Sequence, residues 1–289
     1  MKKIILIIAI FSLPLYSFSP ITSTIVNVKN YSELITKLDE YKMDLNVIRK
    51  TKKTPNLRIL NIDKSIKDLS VKDKKRAFIS SILLAITSVN REILYNRKKI
   101  TSILKIDKKD RSAEQKAYIQ KMIAETRLYK ASKEDAMWYY DIVPPSLVIA
   151  QAILESAWGT SRFAIEGNSL FGEHMPKSAK GKYIQAKGAD IRLRAFSSIE
   201  EAVRGYIYNL NRNNAYKSLR DERLIIRKEN IKSEYSEHGV RLANTQDRYS
   251  EIGHEYTKRI ITVIDQNKLR DFDYCKFEQE SKLVNIRIN

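Results

Sequence analysis

Apolar residues recur at helical spacing along most of this chain. The clearest stripe is Phe78, Ile79, Ile82, Leu83, Ile86, Val89 and Ile93, which predicts a core-facing helix from about Lys72 to Lys105 with basic ends. Weaker periodicity predicts one helix from about Lys29 to Lys53, broken by Pro55 and Asn56, and another from about Ser112 to Tyr129. Ser132 with Asp135 reads as a capping-box variant opening a short helix through Tyr140. From Val143 the pattern becomes apolar on nearly every side. Pro144 and Pro145 suit a helix start, Leu147, Ala150, Leu154 and Trp158 follow at helical spacing, and Gly159 is the stop signal. The period then drops to two. Tyr183–Gln185 and Ile191–Phe196 around Lys187-Gly188 read as a β-hairpin, with Ile191, Leu193 and Ala195 on one face and Asp190, Arg192 and Arg194 on the other. Ser198 and Glu201 form a capping box for a helix from about Ile199 to Arg212, and further helices are expected at about 216–229 and 251–267. The fold class expected is mainly α with one small β element.

Composition supports that reading. With 8 Gly and 6 Pro in 289 residues, a loop-rich all-β chain is disfavoured, and 43% hydrophobic content can fill a core. Lys2 and Lys3, the apolar run Ile4–Leu15 and the small-x-small Ser17-Phe18-Ser19 read as an export signal, too short for a membrane span. The expected divisions are a signal over 1–19, a basic helical region over 20–130, a catalytic domain over 131–275 and a tail over 276–289. Cys275, the only cysteine, excludes an internal disulfide and is expected to be a buried, inert thiol. Of the net charge of +19, residues 21–130 carry 26 Lys/Arg against 12 Asp/Glu, a net of +14. On an exported chain that excess suggests an anionic envelope surface as partner rather than nucleic acid.

One residue breaks the apolar run after Val143. Glu155 sits in a mostly apolar helix, near its negative C-terminal end and close to Trp158. Both surroundings disfavour the charged carboxylate, so its pKa should rise, which suits a general acid. The plainer alternative is a surface Glu paired with Arg162.

The run AILESAWGTSRFAIEGNSLFG, followed by AFSSIEEAVRGYIYNLNRNNAYKSLR and RYSEIGHEYTKRI, resembles the Bax-like branch of glycoside hydrolase family 73, over roughly residues 130–270. The resemblance implies a lysozyme-like domain with a β-hairpin lobe and an endo-β-N-acetylglucosaminidase acting on peptidoglycan glycan strands, with Glu155 as catalytic acid and no cofactor. It also implies a second carboxylate in the hairpin, where this chain reads GADIRLRAF and offers arginines. Asp190 is the acid within that hairpin and Glu173 the one before it; either could instead be an ion-pair partner of Arg192 or Arg194. The departure leaves open a route in which the substrate's own N-acetyl group attacks. Tyr249 is the best match to a recurrent site tyrosine, and Trp158, Phe171 and Tyr216 are candidates for lining the sugar groove or for packing in the core.

Other chemistries find little support. His174, His238 and His254 show no metal-ligand spacing, and there is neither a G-x-S-x-G nor a P-loop. A lytic transglycosylase is the nearest rival, but N-S-L-F-G stands where that class carries a G-L-M-Q-type block. A non-catalytic wall-binding factor and a basic membrane-surface adaptor are the rivals outside enzymology.

Overall fold

The computed structural model describes residues 23–126, 138–186, 188, 190–229, 237–247, 249, 253–278 and 282–289. The expected export signal and the Ser132–Asp135 capping box lie outside these residues.

At the centre is α3 (Val71–Leu104), opened by Ser70, whose hydroxyl accepts from the Asp73 backbone N–H. Its predicted stripe is buried, and between Ala77 and Asn90 every residue is buried. It is long and apolar enough to cross a membrane by composition, yet 83% of its most apolar window is buried inside this fold. α5 (Pro145–Ser156), α7 (Ile199–Arg212) and strand β3 (Leu57–Ile59) pack around it. Short α6 (Arg162–Gly167) follows α5, and α4 (Ala113–Thr126) packs on α7. α8 (Lys217–Glu229), α9 (His238–Ala243) and α10 (His254–Gln266) complete the helical body, and β4 (Tyr183–Gln185) pairs antiparallel with β5 (Arg192–Arg194) as the hairpin.

Two regions depart from the sequence expectation. The expected Lys29–Lys53 helix is two, α1 (Tyr31–Glu40) and α2 (Leu45–Thr51). Lys42 takes φ 57°, and the Asp44 carboxylate then accepts from the Asn46 and Val47 N–H groups to start α2 afresh. The second departure concerns the basic region and the tail. β1 (Ser23–Val28) and β3 both pair in parallel with β7 (Leu283–Ile288), which is the middle strand of three, and β2 (Lys53–Thr54) pairs in parallel with β6 (Lys276–Phe277). The tail therefore closes onto the front of the chain, and one continuous core runs from Val28 to Ile288. Parallel pairing across more than 200 residues leaves no local signal, since such strands need no hairpin turn.

The front of the chain also braces the segment after α5. Gly159 takes φ +76°, and a Cβ there would lie 2.9 Å from the Phe78 ring and 3.2 Å from Ile66. Gly159→Ala is expected to lower stability by about 2–4 kcal/mol through strain and overlap. Urea unfolding that matches the wild-type midpoint would show that this packing is slack. Asn168, at φ 49°, accepts from the Ile62 N–H at 2.9 Å and donates to the Phe196 carbonyl at 3.2 Å, so the Asn of N-S-L-F-G ties the front segment to the hairpin.

Candidate active site

α5 carries Glu155 in its last turn. Its N-terminus, begun by Pro145, is capped from far along the chain: the Ser146 N–H and hydroxyl donate to the two oxygens of Asp273, each at 2.8 Å. At the other end α5 stops at Ser156, two residues before Trp158. The Ser156 hydroxyl donates to the Ala152 carbonyl and accepts from the Gly159 N–H, while Ala157, Trp158 and Gly159 all take left-handed φ. Trp158 is therefore not on the helix. Its ring meets the edge of Phe78, centroids 6.1 Å apart, with the Lys75 ammonium 5.2 Å from its centroid.

Glu155 is half-buried, and burial pushes its pKa up. The Tyr256 hydroxyl donates to Glu155 Oε1 at 2.5 Å and works against that rise by favouring the charged form. Arg162, the alternative partner, instead pairs with Glu166 at 2.9 Å and donates to the Gln185 carbonyl. Behind Tyr256 stands a relay. Gln151, one turn before Glu155, donates from Nε2 to the Tyr256 hydroxyl at 3.2 Å, and its Oε1 accepts from the Tyr206 hydroxyl. With Oε1 occupied by a donor, a proton on Glu155 belongs on Oε2. That oxygen faces Gly172, where an added Cβ would come into contact with it at 3.6 Å.

The other expected residues divide. Tyr249 stacks on Tyr256 (centroids 5.4 Å, 3° between planes), but its own hydroxyl donates to the Phe171 carbonyl at 2.9 Å. Tyr256, not Tyr249, holds Glu155. Phe171 is buried and stacked on Tyr206 at 4.2 Å; Tyr216 is buried with its ring 6.0 Å from Tyr249. Both pack within the aromatic cluster of Tyr206 and Tyr249.

The two carboxylates considered as a second group are placed very differently. Asp190 is 67% exposed and ion-paired with an equally exposed Lys177. Glu173 is buried to 13% side-chain exposure, with Arg194 Nη1 at 3.9 Å from its Oε2. Burial raises its pKa to about 7, and the Arg194 charge only partly offsets that. Gly205 lets it approach α7: a Cβ there would be 2.9 Å from the Phe196 ring and 3.2 Å from Glu173 Oε1. Glu173 lines a cavity of about 630 Å³ with His174, Arg194, Tyr208, Asn209, Arg212, Asn213 and Asn214. Burial raises the pKa of Tyr216, and the charges of Glu173 and Glu155 add to the rise, so both carboxyls lie near one aromatic cluster. Cys275 is buried with its thiol pushed up to about 12, the inert state expected. Among the described residues no group of His, Cys, Asp and Glu could hold a metal ion.

Tyr256 and Gln151 were not singled out from sequence. Gln151 and Glu155 are spaced i, i+4 on one helix face, and Tyr256, Ile260 and Ile264 form the buried stripe of α10. A partner of Glu155 coming from α10 has to come from that stripe.

Residues 130–269 match the family model described as mannosyl-glycoprotein endo-beta-N-acetylglucosaminidase. Residues 130–269, a little under half of the chain, are thus similar to that family. Protein bax of Escherichia coli (strain K12) is 32% identical over 161 residues, which are 54% of this chain and 57% of that protein. The chain thus spans a little over half of this curated relative. Among solved structures, the catalytic domain of the autolysin Auto from Listeria monocytogenes is 20% identical, with 57% of this chain and 90% of that one covered and a TM-score of 0.34. The glycoside hydrolase domain of FlgJ from Salmonella typhimurium is 24% identical, with coverages of 52% and 87% and a TM-score of 0.33. Over the matched stretch the described residues are mainly helical with a hairpin lobe.

Proposed function

We propose that the protein is an endo-β-N-acetylglucosaminidase that cleaves the glycan strand of peptidoglycan, with Glu155 as general acid. The observation that carries this is the Glu155 carboxyl itself: half-buried, pinned on Oε1 by Tyr256, with Oε2 turned to Gly172. That arrangement suits delivery of the Oε2 proton to the departing glycosidic oxygen. Work on peptidoglycan requires export to the envelope, in line with the basic and apolar start of the chain.

Asp190 has no part in this reading, because a solvated ion pair on the hairpin surface leaves it little reason to face a sugar. Glu173 is a cavity-wall group that burial keeps neutral below about pH 7. While protonated, Glu173 supplies no ionised nucleophile, and Glu155 is committed as the proton donor. The substrate's own 2-acetamido carbonyl takes that role, attacking the anomeric carbon as Glu155 protonates the leaving oxygen; Glu173 hydrogen-bonds the bound sugar.

Mass spectrometry of digested peptidoglycan tests the bond cleaved. Fragments with reducing-end N-acetylglucosamine are expected; anhydro-muramic ends would make the protein a lytic transglycosylase instead. Proton NMR of the first-formed product tests the attack: retained β configuration is expected, and an α product would reassign Glu173 as base to an inverting water.

A further inference from the structure

The hydrogen bonds behind Glu155 form a chain with a direction. Tyr206 of α7 donates to Gln151 Oε1, Gln151 Nε2 donates to the Tyr256 hydroxyl at 3.2 Å, and that hydroxyl donates to Glu155 Oε1 at 2.5 Å. Each middle member accepts one proton and passes one on. The end at Glu155 does not fix this direction, because a carboxyl accepts when ionised and can donate when protonated. Gln151 does not fix it either, because turning an amide over exchanges its donor and its acceptor. In the reversed chain a protonated Glu155 would donate from Oε1 to Tyr256, Tyr256 to Gln151, and Gln151 to Tyr206. The proton needed by the leaving group would then be spent inside the protein.

The far end forbids that reversal. Tyr206 and Gln151 are both fully buried, and among the described residues the Tyr206 hydroxyl donates to Gln151 alone. Reversal would strand the Tyr206 proton without an acceptor, a costly state for a buried hydroxyl. We propose that Tyr206 is a positioning residue: through the Gln151 amide, its hydroxyl keeps the Tyr256 proton aimed at Glu155 Oε1 and so holds the transferable proton on Oε2. This rests on the proposed role of Glu155 as general acid and adds the group that sets its orientation. Packing alone does not call for the hydroxyl, since a phenyl ring would stack equally well on Phe171. The titratable groups that face Glu155 are Tyr206, Tyr216, Tyr249 and Tyr256, and among the described residues no lysine, arginine or second carboxylate shifts it.

The test titrates the full-length protein by NMR with isotope-labelled glutamate carboxyls, the Glu155 signal being the one missing from Glu155→Gln. Tyr206→Phe keeps the ring and lets the amide turn, so that Tyr256 donates to Gln151 instead. The Glu155 midpoint is expected to rise by about 0.5–1 pH unit, the worth of one hydrogen bond to the charged form. On peptidoglycan kcat should fall about threefold to tenfold with KM unchanged, as the proton moves to the wrong oxygen. Adding Gln151→Leu to Tyr206→Phe removes the amide that diverts Tyr256, and the midpoint of the double variant is expected to return to the wild-type value. A packing role gives no such rescue. Should Tyr206→Phe fail to fold, Gln151→Glu reads the same link: an ionised side chain there accepts from both tyrosines, and the midpoint should rise further. A wild-type midpoint in Tyr206→Phe overturns the proposal, as does one in Gln151→Glu or a double variant shifted as far as the single. These midpoints need no substrate. A wild-type protein that cleaves nothing would remove the glycosidase reading, while the order of midpoints would still decide the role of Tyr206.

Discussion

Glu155→Gln is expected to reduce kcat on peptidoglycan by about 10²- to 10⁴-fold, the usual contribution of a positioned acid, while leaving the fold intact. Gln keeps the size of the side chain, and its amide oxygen can still accept from Tyr256, so the relay through Gln151 to Tyr206 survives. What disappears is the transferable proton. The pH profile should identify it. Burial raises the Glu155 pKa, and the acid works only while protonated, so activity should fall as pH climbs through that raised value. The variant should lose this alkaline limb altogether. Tyr256→Phe gives an independent check with a defined sign. Its hydroxyl favours the charged carboxylate, so removing it should raise the Glu155 pKa further and move the limb to higher pH. A Glu155→Gln protein with wild-type kcat would end the assignment, as would a limb that moves to lower pH in Tyr256→Phe.

Much of this arrangement is legible in short stretches of sequence, and the limits are physical. α3, α7 with its Ser198 cap, and the hairpin announce themselves because their signals lie within a few residues of one another. Glu155 stands out because one carboxylate in an apolar helix is costly. What encloses it is less visible. Ser156 turns its hydroxyl back on its own helix, so α5 ends early and Trp158 leaves the face that periodicity gave it. Tyr249 and Tyr256 sit within one motif, and only the packing of α10 shows that the second reaches the carboxyl while the first spends its hydroxyl on Phe171. Asp273 caps a helix 127 residues upstream, and nothing local distinguishes it from a surface aspartate. Glu173 and Asp190 look alike in sequence; burial alone separates them.

Deleting residues 279–289 is expected to leave the chain unable to fold stably. The cut removes β7, the strand to which both β1 and β3 are hydrogen-bonded. Leu283, Ile286 and Ile288 are buried in the common core. At about 1.5–3 kcal/mol each, their loss alone comes to about 5–9 kcal/mol, before the exposed edges of β1 and β3 are counted. A domain of this kind has about 5–15 kcal/mol in total. The damage would also reach the site. β3 packs on α3, α3 presents Phe78 to Gly159, and Gly159 closes the turn that follows Glu155. The glucosaminidase match ends at residue 269, and that boundary taken alone would make the tail dispensable. The strand order says otherwise: the matched stretch is held in shape by a sheet whose outer strands come from the front of the chain and whose middle strand comes from the tail. Circular dichroism and urea unfolding of the shortened protein decide the matter, with Ile286→Asp in the full chain as a single-site counterpart expected to behave in the same direction. A shortened protein that unfolds at the wild-type midpoint would show that the sheet is an ornament on a domain that stands without it.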